Sequence, residues 1–230
     1  MNNLFVVKWG TAYDDKYVDV LYNSAKRHSQ TPFDFYVLTD SMPNANPEYK
    51  IIQLPDWGLT TKNAWWYKMF LFSLGIHGRN LYIDLDTVIC DNITKFWNYE
   101  RGAEFIICQD FNRAYLPGYN KCNSSVMAWT GGNMQSKYND FMRDKAMMIA
   151  KHRGDQDYLE GVWPRSFWPK NWAMSYKWEL WRGGKTSNLD TSYRQKELAV
   201  VIPSECSIAV FHGKPKPHTL DDPFITANWI

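Results

Sequence analysis

Short apolar runs alternate with amphipathic segments through the first part of this chain, and that rhythm leaves few folds open to it. Leu4-Phe5-Val6-Val7 is a continuous apolar run of strand length. Phe33 to Leu38 is a second, ending at Thr39-Asp40, and Ile51-Ile52-Gln53-Leu54 is a third, stopped by Pro55. Between the first two, Asp14-Asp15 precede Tyr17, Val20, Leu21, Ser24, Ala25 and His28 at helical spacing. Acidic residues at that end suit the positive pole of a helix. Thr60-Thr61 can cap a further helix, Lys62 to Leu74, closed by Gly75. Leu81 to Ile89 then reads as one strand with Asp84 and Asp86 at its end. Strands apolar along their whole length need cover on both faces, which predicts an α/β fold. Its mixed, mostly parallel sheet would be flanked by helices. Ligands in such sheets bind beyond the carboxyl ends of the strands, where Asp40, Asp84 and Asp86 fall.

After Asn92 the rhythm loosens. Phe105-Ile106-Ile107-Cys108, Ser125 to Trp129 and Ile208 to Phe211 read as strands, and Met134 to Ile149 as a helix. From Gly161 to Lys196 tryptophan, proline, glycine and lysine recur with little period, which predicts a long functional loop or cap. No internal repeat and no low-complexity linker divides the chain. The expectation is a single compact domain over 1–230, with one lobe at 1–95 and another at 96–230.

Composition removes several classes. Lys and Arg number 26 against 24 Asp and Glu among 230 residues, so no long-range field draws in nucleic acid. Locally, Arg165, Lys170, Lys177, Arg182, Lys185, Arg194 and Lys196 outweigh Glu179 and Asp190, a pattern that most simply gives a solvated basic face. No apolar run reaches the roughly 18 residues of a membrane helix, so no membrane span is expected. The first residues carry no basic segment followed by a long apolar one. Cys90, Cys108, Cys122 and Cys206 show no metal-like spacing, so the expectation is a cytoplasmic chain with reduced thiols. Aromatic residues reach 17%, with clusters at Trp57, Trp65-Trp66-Tyr67, Trp163, Trp168, Trp172, Tyr176, Trp178 and Trp181. Many must be core, but flat rings also stack on sugars, so a carbohydrate partner is an open reading.

Two constellations carry chemistry. On a strand, Asp84 and Asp86 at i and i+2 would project to one face and suit Mg²⁺ or Mn²⁺ shared with phosphates. Two surface aspartates after a strand are the plain alternative. His212 follows an apolar strand and precedes Gly213, Lys214 and Lys216. A neutral imidazole can complete a metal site, glycine admits a close phosphate, and lysines neutralise a diphosphate. A solvated tail is the alternative. Gly154-Asp155-Gln156-Asp157 can open a helix. No GxGxxG, P-loop or GxSxG motif is present.

Trp9-Gly10-Thr11-Ala12-Tyr13, Leu38-Thr39-Asp40, Trp66-Tyr67-Lys68, Tyr82-Ile83-Asp84-Leu85-Asp86-Thr87-Val88, Asn123 to Met127, Gly154-Asp155-Gln156 and His212 to Pro217 follow one another in a familiar order. Together they resemble the GT-A glycosyltransferases, near the family-eight and glycogenin-like group and small bacterial and viral glycosyltransferase-like proteins. The resemblance implies transfer of a hexose from a nucleotide sugar, with UDP the expected nucleotide, to a carbohydrate or other hydroxyl acceptor, with retained configuration. It implies Mn²⁺ or Mg²⁺ on Asp84, Asp86 and His212. Thr11, Tyr13, Asp40, Lys68, Asp84, Asn123, Ser124, Gly213, Lys214 and Lys216 would bind the donor, and Asp155 and Gln156 would lie beside the anomeric carbon. Lys68 stands where the family usually has arginine. The tail is shorter than the family's, with His218 where it has tryptophan. The Trp-rich stretch would meet the acceptor.

Two other readings compete. Asp84-Leu85-Asp86-Thr87-Val88 also fits a haloacid-dehalogenase-like phosphatase, although that nucleophile normally sits on the first strand. A non-catalytic carbohydrate-binding protein would use the tryptophans but has no need of paired carboxylates.

Overall fold

A computed structural model describes residues 1–162, 164–181 and 200–230. Trp163, and Arg182, Lys185, Asp190, Arg194 and Lys196 of the basic stretch, lie outside the described residues.

The chain runs β1 (Asn2–Lys8), α1 (Asp15–His28), β2 (Asp34–Thr39), β3 (Tyr49–Gln53), a 3₁₀ helix (Ala64–Ser73), β4 (Arg79–Ile83) and β5 (Thr87–Ile89). Then come α2 (Thr94–Asn98), β6 (Phe105–Gln109), β7 (Cys122–Thr130), α3 (Gln135–Arg143), α4 (Lys145–Lys151) and α5 (Asp155–Leu159). β8 (Ser166–Phe167), β9 (Ala173–Ser175), one π turn (Tyr176–Leu180), β10 (Ile208–Val210) and α6 (Pro223–Asn228) complete it. The mixed, mostly parallel sheet expected from the sequence is seven-stranded, in the order β3-β2-β1-β4-β7-β6-β8. Among the described residues only β7 runs against its neighbours in this sheet.

The run at β1 shows why the sheet is apolar throughout. Successive strand residues face opposite sides. Leu4 and Val6 join Val18, Leu21 and Ala25 of α1 in one core, while Phe5 joins Met69, Phe72 and Tyr82 in the other.

Three expectations are corrected. Leu81 to Ile89 is not one strand: β4 belongs to the large sheet, and β5 pairs with β10 in a separate three-stranded sheet ordered β5-β10-β9. The single helix from Met134 to Ile149 is two, broken at Asp144, whose side chain accepts from Met147 N–H and caps α4. The helix expected over Lys62 to Leu74 has 3₁₀ geometry. Side chains three apart stack in that geometry. Trp66, Met69 and Phe72 accordingly form a buried ridge, and Trp65 and Lys68 share another that borders a cavity at the carboxyl ends of the strands. Three of the tryptophans considered for sugar stacking, Trp66, Trp168 and Trp181, are buried core, while Trp57, Trp172 and Trp178 are half-buried and Trp65 is exposed.

Candidate active site

After β1 the chain builds β2 and β3 on one side, then returns to place β4 on the other side of β1. That reversal between β1 and β4 opens a crevice at their carboxyl ends. Trp9, Ala12 and Tyr13 leave β1 into it, and Asp84 and Asp86 leave β4. With Trp65, Lys68 and Tyr82 they border a cavity of about 300 Å³.

Asp84-Leu85-Asp86 is a link between two sheets rather than part of a strand. Leu85 is 3% exposed and anchors the link in the core, while the two carboxylates border the same cavity. Convergence therefore comes from a turn pinned by leucine, not from strand pleat. Asp84 Oδ1 accepts from Tyr82 OH at 2.5 Å and meets Lys68 Nζ at 2.9 Å. Asp86 Oδ2 accepts from Tyr13 OH at 2.9 Å and from Lys216 Nζ. Burial and the neighbouring Asp84 raise the Asp86 pKa against the pull of Lys216.

Lys68 links the crevice to β7 and α5. Its ammonium also donates to Ser124 Oγ at 3.1 Å and lies 3.6 Å from Asp155 Oδ2. Burial disfavours its charge, but Asp155 and Asp84 outweigh burial and its pKa is raised. Asp155 at the start of α5 is buried, its Oδ2 has no hydrogen-bond partner among the described residues, and burial raises its pKa despite Lys68. Gln156 is held at both ends: Nε2 donates to Asp110 Oδ2 at 2.8 Å, and Oε1 accepts from Asn123 Nδ2 at 3.0 Å.

The expected metal trio does not assemble. Among the described residues no three His, Cys, Asp or Glu side chains are gathered so as to hold a metal. His212 Nε2 pairs with Ser175 Oγ at 2.8 Å, and its ring stacks on Phe111 and meets the edge of Trp178. Lys216 takes the place beside Asp86 that imidazole was expected to fill. Burial, then Lys177 and Lys216, lower the His212 pKa to about 3 and keep the ring neutral. Gly213 has φ +72°, and the Lys177 ammonium reaches the Lys214 carbonyl at 3.4 Å beside it. Lys177, Lys214 and Lys216 thus surround one turn. Thr11 and Asp40 stand aside: Thr11 borders a shallow groove with Lys8 and Asp15, and both Asp40 carboxylate oxygens accept from Gly10 N–H, at 3.0 and 3.1 Å.

A divalent ion finds a fitting donor set in the two aspartates. Asp84 Oδ2 and Asp86 Oδ1 accept no hydrogen bond among the described residues, and hard carboxylate oxygens shared with phosphate oxygens suit Mg²⁺ or Mn²⁺.

No protein-family model matches the chain, and no curated protein resembles it significantly in sequence. Solved structures match it in fold. The galactosyltransferase LgtC, in complex with donor and acceptor sugar analogues, aligns at TM-score 0.66 and 15% identity over 94% of this chain and 89% of its own. An active-site mutant of LgtC aligns at 0.68 and 15% identity over 100% of this chain and 97% of its own. The fold is that of the GT-A glycosyltransferases.

The bifunctional glycosyltransferase WbbM, at TM-score 0.60 and 13% identity, shares the GT-A fold over 94% of this chain and 46% of its own. Within that GT-A frame, sequence reasoning missed Tyr82, Asp110 and Lys177. Asp110 carried a usable signal, since it follows the apolar run Phe105 to Cys108 as Asp40 follows β2. Lys177 was read only as part of a solvated basic face, because its neighbours in space are distant in sequence.

Proposed function

We propose that this protein is a glycosyltransferase of the family-eight kind that moves a hexose from a nucleotide sugar, with UDP as its nucleotide, to a hydroxyl acceptor. The observation behind the reading is the crevice of a GT-A fold bordered by Asp84, Asp86 and Lys68, with Asp155 tied to it through Lys68 and Gln156 next to Asp155 in the chain. Residues 1–95 would supply the nucleotide side and 96–230 the acceptor side.

Asp84 and Asp86 would hold Mn²⁺ or Mg²⁺ against the donor diphosphate. The chemistry such an ion supplies is neutralisation of the charge that grows on the leaving diphosphate. The chain contributes cations of its own to the same end. Lys214 and Lys216, with Lys177 behind Gly213, would stabilise that charge; Lys216 already pairs with Asp86. Tyr13, with Thr11 and the loop that Asp40 fastens, would meet the nucleoside. Lys68, Asn123 and Ser124 would face the donor sugar, and Asp155 and the doubly held Gln156 would lie beside the anomeric carbon.

The acceptor oxygen bonds to the anomeric carbon while the carbon–phosphate-oxygen bond breaks. Its electron pair leaves with the nucleoside diphosphate, and the acceptor proton passes to the leaving phosphate oxygen. Asp155 is tied to Lys68 and Gln156 is a neutral amide, so neither is set as a free nucleophile. With retention implied by the family-eight likeness, that favours a front-face route over a double displacement. The test is NMR of the first-formed product: a retained anomer supports the route, and an inverted one refutes it. Nucleotide sugars screened by thermal shift with Mn²⁺ check the donor; no stabilisation by any of them would sink the transferase reading.

A further inference from the structure

Beside the donor crevice lies a second cavity of about 320 Å³, bordered by Trp65, Tyr119, Lys121, Arg153 and Gln156. Trp65 borders both cavities and is 42% exposed, unlike the buried rings of the core. Its position is set from behind: a Cβ added to Gly154 would lie 2.9 Å from the indole Nε1, so only glycine lets the ring sit there. An exposed, edge-supported indole is a platform for the C–H face of a pyranose, and Gln156 at the same wall leads toward the donor sugar.

The charges around this cavity are unequally satisfied. Glu160 accepts from Cys122 N–H at 2.7 Å and pairs with Arg165 at 3.0 Å. Asp155 faces Lys68, and Asp157 accepts from Arg153 N–H at 3.2 Å and lies 3.4 Å from His152. The side-chain cations of Lys121 and Arg153 have no ion pair among the described residues, and both are exposed at the cavity wall.

We propose that this cavity is the acceptor subsite and that it takes a pyranose bearing an anionic substituent, stacked on Trp65 and read by Lys121 and Arg153. Arginine meets a carboxylate or phosphate with a two-pronged fork and lysine with a point charge, so the pair accepts either anion. The assignment of the ligand as acceptor rests on the transferase reading.

The experiment is titration, by saturation-transfer NMR at low salt, of methyl β-D-glucuronide, methyl β-D-glucoside 6-phosphate and methyl β-D-glucoside. Each is run with and without UDP and Mn²⁺. Either anionic sugar is expected to bind roughly ten-fold more tightly than the neutral one, and the relative affinity of the two shows which anion is preferred. Lys121→Ala with Arg153→Ala should erase the difference. Trp65→Ala should lose all three ligands, as should Gly154→Leu, which displaces the ring. Equal binding of charged and neutral sugars, or a preference that survives the double variant, overturns the proposal. UDP binding without anionic preference overturns the subsite and spares the transferase. Anionic sugar binding in a protein that takes no UDP supports the ligand class and overturns the transferase.

Discussion

Lys68 and Asp84 are joined across the crevice, Nζ to Oδ1 at 2.9 Å, and the same ammonium lies 3.6 Å from Asp155 Oδ2. One cation therefore serves two carboxylates contributed by distant parts of the chain. Both carboxylates are largely shielded from water, so removing their shared partner costs more than the loss of a surface pair. Lys68→Met should destabilise the fold by about 3–5 kcal/mol, measured by urea denaturation, and abolish transfer. Lys68→Arg should recover most of the stability. Equal stability of Lys68→Met and wild type would show that the pairing is idle.

Asp86→Asn keeps the shape of the side chain and its hydrogen bond with Tyr13, but removes the charge that faces Lys216. Donor turnover should fall by about a hundred-fold or more, while the melting temperature changes by only a few degrees. Turnover near the wild-type rate would refute a role for Asp86 in metal and diphosphate binding.

Chelation should silence the protein reversibly. Dialysis against EDTA is expected to abolish nucleotide-sugar cleavage, and Mn²⁺ or Mg²⁺ to restore it, since two carboxylates and a diphosphate suit a hard divalent ion. Full activity after chelation would mean that Lys177, Lys214 and Lys216 suffice.

His212 makes stability depend on pH. Its folded pKa is about 3, below the roughly 6.5 of an unfolded histidine, because it is buried and near Lys177 and Lys216. Its stabilising contribution is therefore complete above about pH 6.5 and is lost as pH falls toward 3. The melting temperature should drop across that window, and His212→Gln should flatten the drop. An unchanged slope in the variant would exclude His212 as its source.

Asp110 acts through Gln156, whose Nε2 it accepts at 2.8 Å. Asp110→Ala should free that amide and lower kcat by roughly ten-fold with little change in KM for the donor. A change in KM alone would place Asp110 elsewhere in the reaction.

The sequence on its own revealed the strands and helices that local pattern controls. Apolar runs at β1, β2, β4, β6 and β7 were legible because burial on both faces demands uninterrupted hydrophobicity. Asp84 and Asp86 were legible as a pair because they leave such a strand. What the sequence could not show was which side chains meet across the sheet. Leu81 to Ile89 carries no local sign that its halves enter different sheets; that follows from β10 arriving to pair with β5. Nor does the tail show that Lys216, four residues past His212, is the group that reaches Asp86. Only Trp65 among neighbouring aromatics faces solvent, because the 3₁₀ turn sets it on the Lys68 ridge while Trp66 and Tyr67 turn inward. Local periodicity encodes which face of an element is buried, but a long-range contact is decided by the summed packing of the whole chain, and so the partners within the site belong to the tertiary structure.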